Sequence, residues 1–154
     1  METYKQFKGK VAVITGGSRG IGRTIALNFA NHGADIAFNY YRQTEAANQT
    51  LNDILDLGVE CISVKAHLGD QSNITNFIKK VGAKFGKIDY LINNAASGVN
   101  KPATELTSKH WDWTMDINAK APWLCTQESI GYMQPGSCIV NLTSLGSKIV
   151  LKNY

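Results

Sequence analysis

Lys10-Val11-Ala12-Val13-Ile14-Thr15, followed by Gly16-Gly17-Ser18-Arg19-Gly20-Ile21-Gly22, is the stretch that decides the fold. Its first part is a short, nearly continuous apolar run, as expected of a strand buried on both faces. The glycines end that run. Ile21, Ile25, Ala26, Phe29 and Ala30 then recur at helical spacing, with Gly33 where a C-cap belongs. A glycine turn between strand and helix lets backbone approach a pyrophosphate, and the helix adds free N–H groups and the positive end of its dipole. Gly16, Ser18, Arg19, Gly20, Ile21 and Gly22 are therefore candidate phosphate-binding residues. Glycines also serve tight bends with no ligand, and the position at the first strand–helix junction is what argues for the site. Arg19 is either an extra phosphate contact or a solvated loop cation.

The same alternation continues outward. Ala34 to Phe38 reads as a second strand, and Ala47, Leu51, Ile54 and Leu55 mark a helix stopped near Gly58. Val59 to Lys65 is a third strand. Ile74, Phe77, Ile78, Val81 and Phe85 form an apolar helical stripe ending near Gly86. Ile88 to Asn93 is a fourth strand, a long helical region runs from about Thr107 to Met133, and Cys138 to Leu142 is a fifth strand. Connections this long exclude hairpins and require parallel strands with right-handed crossovers. The expected fold is α/β, a doubly wound parallel sheet of the Rossmann kind, in one dinucleotide-binding domain spanning residues 1–154. Because the chain ends soon after the fifth strand, that domain is expected to be C-terminally incomplete.

Composition narrows the function classes. Of 154 residues, 44% are hydrophobic and 18% charged, which excludes a disordered chain or a disulfide mini-scaffold. The net charge of +4 is spread without the basic clusters of a nucleic-acid surface. No apolar run reaches the roughly 20 residues of a membrane span, and the first residues lack a signal-peptide core. The expectation is a soluble, cytoplasmic protein. Cys61, Cys125 and Cys138 are far apart in apolar stretches and read as buried free thiols, with neither zinc nor redox spacing. Asn48, Asn73 and Asn141 each begin an Asn-x-Thr triplet, read as chance matches.

After the second strand comes Asn39-Tyr40-Tyr41-Arg42, with no acid between Ile36 and Thr44. A carboxylate near here would take the ribose 2′-hydroxyl of NAD. Arg42 instead offers a planar donor fork suited to a 2′-phosphate, which points to NADPH.

Four motifs in order, Thr15-Gly16-x-x-x-Gly20-x-Gly22, Asn93-Asn94-Ala95-Ala96, Asn118 and Ser144, resemble the short-chain dehydrogenase/reductase family across the whole chain. Within it, Asn93 to Val99, His110-Trp111-Asp112-Trp113-Thr114-Met115 and Thr143-Ser144-Leu145-Gly146-Ser147 are similar to the NADPH-dependent enoyl-[acyl-carrier-protein] reductase III branch (FabL-type). The resemblance implies reduction of the trans-2 double bond of an enoyl thioester on acyl carrier protein, in bacterial fatty-acid elongation, by a homotetramer. The alternatives are a 3-oxoacyl-[acyl-carrier-protein] reductase of the same family and a non-catalytic dinucleotide-binding module.

Tyr154 stands ten residues after Ser144, which fits the enoyl-reductase pattern Tyr-x6-Lys; most of the family places its tyrosine further on. The catalytic candidates are thus Tyr154 as acid, Ser144 as the hydroxyl that orients substrate or Tyr154, and Asn118. Pro122 has no N–H to offer the Asn118 carbonyl, so a kink is expected that frees this carbonyl for a water. The resemblance adds that the water links a lysine to solvent. Cofactor-binding candidates beyond the glycine turn are Arg42, His67 and Leu68 at the adenine, and Asn94, Ala95 and Ala96 after the fourth strand. His67 replaces the aspartate common at its position, and it either stacks and donates there or is a surface histidine. Trp111, Trp113, Met115 and Trp123 are read as helix-packing or subunit-interface residues, with an acyl channel the rarer use.

Overall fold

The computed structural model describes residues 5–150 and Lys152. Five strands, β1 (Val11–Ile14), β2 (Asp35–Tyr40), β3 (Cys61–Lys65), β4 (Tyr90–Asn93) and β5 (Cys138–Asn141), form one sheet in the order β3-β2-β1-β4-β5. Every pairing is parallel, with Ala12 opposite Ile36 on one side of β1 and Tyr90 on the other. Helices α1 (Gly20–Asn31), α2 (Thr44–Leu55) and α3 (Gln71–Phe85) make the first crossovers; α4 (Ser108–Met115) and α5 (Ala121–Ile130) lie between β4 and β5.

The strand pattern explains the two layers. Ala12, Ile14, Ile36 and Phe38 face one way, onto Ala26, Ala30, Ala47 and Ile54 of α1 and α2. Val13, Ala37 and Leu91 face the other way, onto Phe77, Ile78, Val81, Leu124 and Cys125 of α3 and α5. Because both faces are covered, β1 is buried at all four positions. At the amino edge, Asp89 accepts hydrogen bonds from Val11 N–H (2.9 Å) and Lys10 Nζ (3.0 Å) and pairs with Lys87 (3.1 Å). Burial pushes its carboxyl pKa up, but these three partners outweigh it and hold the group below the ordinary carboxylate value.

Two expectations change. The long helix of residues 107–133 is broken: a short 3₁₀ turn (Ala103–Glu105) precedes α4, and a π-helical turn (Asp116–Lys120) joins α4 to α5. In that turn the Ala121 N–H donates to the Asp116 carbonyl, an i+5 bond in place of the α-helical one, just before Pro122. The cysteines are not uniformly buried. Cys125 is in the core and Cys61 half-buried, both thiols pushed up to about 12 by burial, whereas Cys138 is exposed at the start of the edge strand β5. Among the described residues, no helix is long and apolar enough to cross a membrane, and no three metal-ligating side chains converge.

Candidate functional site

The chain leaves β1 for β2 and β3 on one side, then returns to β4 on the other. That reversal opens a crevice at the carboxyl ends of β1 and β4, where doubly wound sheets take ligands. An open cleft of about 600 Å³ lies there, and all twelve residues expected to hold the dinucleotide line it: Gly16, Ser18, Arg19, Gly20, Ile21, Gly22, Arg42, His67, Leu68, Asn94, Ala95 and Ala96. No acidic side chain among the described residues lines it.

The glycine turn forms the floor. A Cβ on Gly17 would overlap Phe38, and one on Gly22 would overlap the Gly16 carbonyl and Asn94, so both positions are glycine because backbone and helix pass too close for a side chain. Arg19 stands at the N-cap of α1 in extended conformation and gives the helix no side-chain acceptor. The first-turn residues Gly20, Ile21 and Gly22 line the cleft with the positive end of a twelve-residue helix.

Asn39, Thr50 and Thr15, none of them picked out by motif reading as a site residue, hold the turn in place together with Asn94, which was. Asn39 accepts from Gly16 N–H through Oδ1 (2.9 Å) and donates from Nδ2 to the Ala66 carbonyl (3.0 Å), tying the turn to β2 and the end of β3. Thr50 of α2 donates to the Ser18 carbonyl (2.9 Å). Thr15 Oγ1 accepts from the Asn94 (2.9 Å) and Ala95 (3.0 Å) N–H groups, and Asn94 Nδ2 donates back to the Thr15 carbonyl (2.9 Å). Thr50 and Asn39 are buried polar side chains, satisfied by these bonds to the turn.

One end of the cleft is aromatic and basic. The His67 ring lies between Tyr41 (centroids 4.5 Å apart) and Trp113 (5.4 Å), and the Arg42 guanidinium sits 5.4 Å from the Tyr41 ring. His67 Nε2 is buried and has no hydrogen-bond partner among the described residues. Among the described residues this end supplies planar surfaces, a guanidinium fork and no carboxylate, which fits a purine ribose bearing a phosphate. Trp113, read chiefly as a packing or interface residue, is therefore part of the cleft wall; Trp111, Met115 and Trp123 are exposed outside it.

The catalytic candidates are placed differently. Asn118 sits in the π-helical turn, and its side chain clasps the Ser97 backbone, Oδ1 accepting from the N–H (2.9 Å) and Nδ2 donating to the carbonyl (2.6 Å). Ser97 Oγ in turn accepts from Trp113 Nε1 (2.6 Å). Ser144 follows β5 at the carboxyl edge and caps a 3₁₀ turn (Leu145–Ser147), accepting from Gly146 N–H (3.1 Å). Tyr154 lies outside the described residues.

Comparison with known proteins agrees with this geometry. The family described as short chain dehydrogenase matches residues 10–154. General stress protein 39 of Bacillus subtilis is 35% identical over 148 residues, covering 94% of this chain and 52% of that protein. The 3-oxoacyl-[acyl-carrier-protein] reductase FabG of Staphylococcus aureus is 35% identical over 138 residues, covering 88% and 56%. A Burkholderia cenocepacia short chain dehydrogenase solved in complex with NADP superposes with a TM-score of 0.93 at 33% identity, covering 96% of this chain and 60% of that one. The chain thus spans little more than half the length of the curated relatives it matches.

Proposed function

Since this chain belongs to the short-chain dehydrogenase/reductase family, we propose that it binds NADPH and serves hydride transfer to an acyl thioester carried by acyl carrier protein. The observation that carries this reading is the cleft itself: a glycine turn at a helix N-terminus, Arg19 and Arg42, and no carboxylate among the described residues that line it. The NADP complex of the Burkholderia relative supports the cofactor. Arg42, with Arg19, takes the 2′-phosphate; the N–H groups of Gly20, Ile21 and Gly22 meet the pyrophosphate; His67 and Leu68 contact the adenine; Asn94, Ala95 and Ala96 let the nicotinamide end lie close to backbone. When bound, NADPH supplies the hydride.

The chain's own residues then handle the oxygen and the proton. On the enoyl reading Tyr154, ten residues after Ser144, donates to the thioester carbonyl oxygen as negative charge develops there. Ser144, exposed past β5, orients the substrate or Tyr154. The Asn118 carbonyl holds a water in the π-helical turn while its side chain fixes the loop after β4.

Two hydride acceptors fit. The 3-oxoacyl reductases among the relatives support the 3-oxo carbon, the reading placed second from sequence. The ten-residue spacing of Ser144 and Tyr154, with the Trp111–Met115 string, supports the enoyl β-carbon. A cytoplasmic homotetramer completes the proposal, supported by the exposed apolar side chains Trp111, Trp123 and Ile130.

NADPH consumption with acetoacetyl and crotonyl thioesters in parallel tests it, on protein of verified intact mass. Turnover of the acetoacetyl thioester alone is the expected result. Turnover of the crotonyl thioester alone moves the assignment to the enoyl reading, and bound NADPH with neither substrate turned over removes the thioester assignment.

A further inference from the structure

Trp113 touches both ends of the cleft. Its ring packs against His67, which in turn makes a tilted ring contact with Tyr41 beside Arg42, at the end that fits the purine ribose. Its indole N–H is spent at the other end, on Ser97 Oγ at 2.6 Å. Ser97 belongs to the loop that follows Asn94 to Ala96, and Asn118 holds that residue's backbone by two further bonds. Trp113 is 38% exposed, and its bond to Ser97 lies at the solvent-accessible rim of the cleft. A residue that only packs would need neither its polar atom satisfied by a cleft loop nor a tilted ring contact with a cleft histidine.

We propose that Trp113 is a positioning residue that braces the loop after β4 against the adenine end of the cleft, so that both halves of the dinucleotide meet one rigid wall. The inference rests on the dinucleotide reading above. It separates two contacts on one side chain: the ring serves the adenine half through His67, and the N–H serves the nicotinamide half through Ser97. Trp113→Phe keeps a ring beside His67 and removes the N–H; Trp113→Ala removes both; Ser97→Ala removes the acceptor alone.

Calorimetric titration of each variant with NADPH and with adenosine 2′,5′-bisphosphate, the adenine half alone, separates the two contacts. Trp113→Phe should weaken NADPH about fivefold, the equivalent of one hydrogen bond of ~1 kcal/mol, and leave the bisphosphate unchanged. Ser97→Ala should do the same, and the double variant Ser97→Ala/Trp113→Phe should be no weaker than either single, because both remove one shared bond. Trp113→Ala should weaken both ligands. Equal weakening of both ligands by Trp113→Phe, no weakening of either, or additive losses in the double variant would overturn the brace while leaving cofactor binding intact. Wild-type protein that binds neither ligand would overturn the dinucleotide reading first, and the brace with it.

Discussion

The sheet has two unlike flanks. In β1 and β2 every aliphatic residue and Phe38 are buried, with Tyr40 half-buried at the end of β2. At β5 the burial is slight, with Val140 43% exposed. Among the exposed large hydrophobic residues, Ile21, Tyr41 and Leu55 precede residue 100; the others, from Leu106 to Val150, lie in the later segment. The difference is functional as well as energetic. The glycine turn, Asn39, Arg42 and His67 belong to the flank that packs more fully among the described residues, while Ser144 sits on the flank that packs less. Cofactor binding should therefore be more robust to surface change than anything that depends on the β5 side.

Core truncation makes the sharpest test of that contrast. Phe38→Ala should cost about 3–5 kcal/mol in urea unfolding, because it removes a fully buried ring that also fills the space beside Gly17. A loss below 1 kcal/mol would mean that the β1–β2 flank is not the stable one. Asp89→Asn should cost less, about 1–2 kcal/mol near neutral pH, since one oxygen can still accept while the pairing with Lys10 and Lys87 is lost. Its pH dependence has a definite sign. The folded-state pKa of Asp89 is depressed, so its contribution is present above the ordinary value of 3.8 and is lost as pH falls below that towards the folded value. The gap between wild type and variant should close across that acid window; a gap constant down to pH 2 would contradict the ion-pair account. Smallest of all, Val140→Ala on β5 should change stability by less than about 1 kcal/mol. A loss as large as that of Phe38→Ala would erase the distinction between the flanks.

Sequence reading reached the packed flank more fully than the other. The continuous apolar run of β1 and the helical stripes mark the parallel sheet directly, because burial on both faces leaves a pattern in composition. The twelve expected cofactor residues line the cleft because they come from loops at fixed places after successive strands. Asn39 and Thr50 were hidden because their bonds run to residues 23 and 32 positions away, which spacing within one element cannot reveal. Ser97 and Trp113 were hidden for the same reason, their contact spanning 16 positions from loop to helix. The π-helical turn was legible only as a break near Pro122, since the extra residue per turn leaves no composition mark. Asn118 shows a further limit: motif reading singled out its carbonyl, whereas the structure adds a structural task for its side chain on Ser97.

The central claim is that this cleft selects a 2′-phosphorylated dinucleotide through Arg42 and the absence of a carboxylate. Titrating the protein with NADPH and with NADH, and repeating both with Arg42→Ala, measures it directly. The account predicts NADPH binding at least about tenfold tighter than NADH, with most of that preference gone in the variant, as expected for charge-assisted bonds worth about 1.5–3 kcal/mol. Equal affinities in the wild type, or a preference that survives Arg42→Ala and Arg19→Ala together, would contradict it.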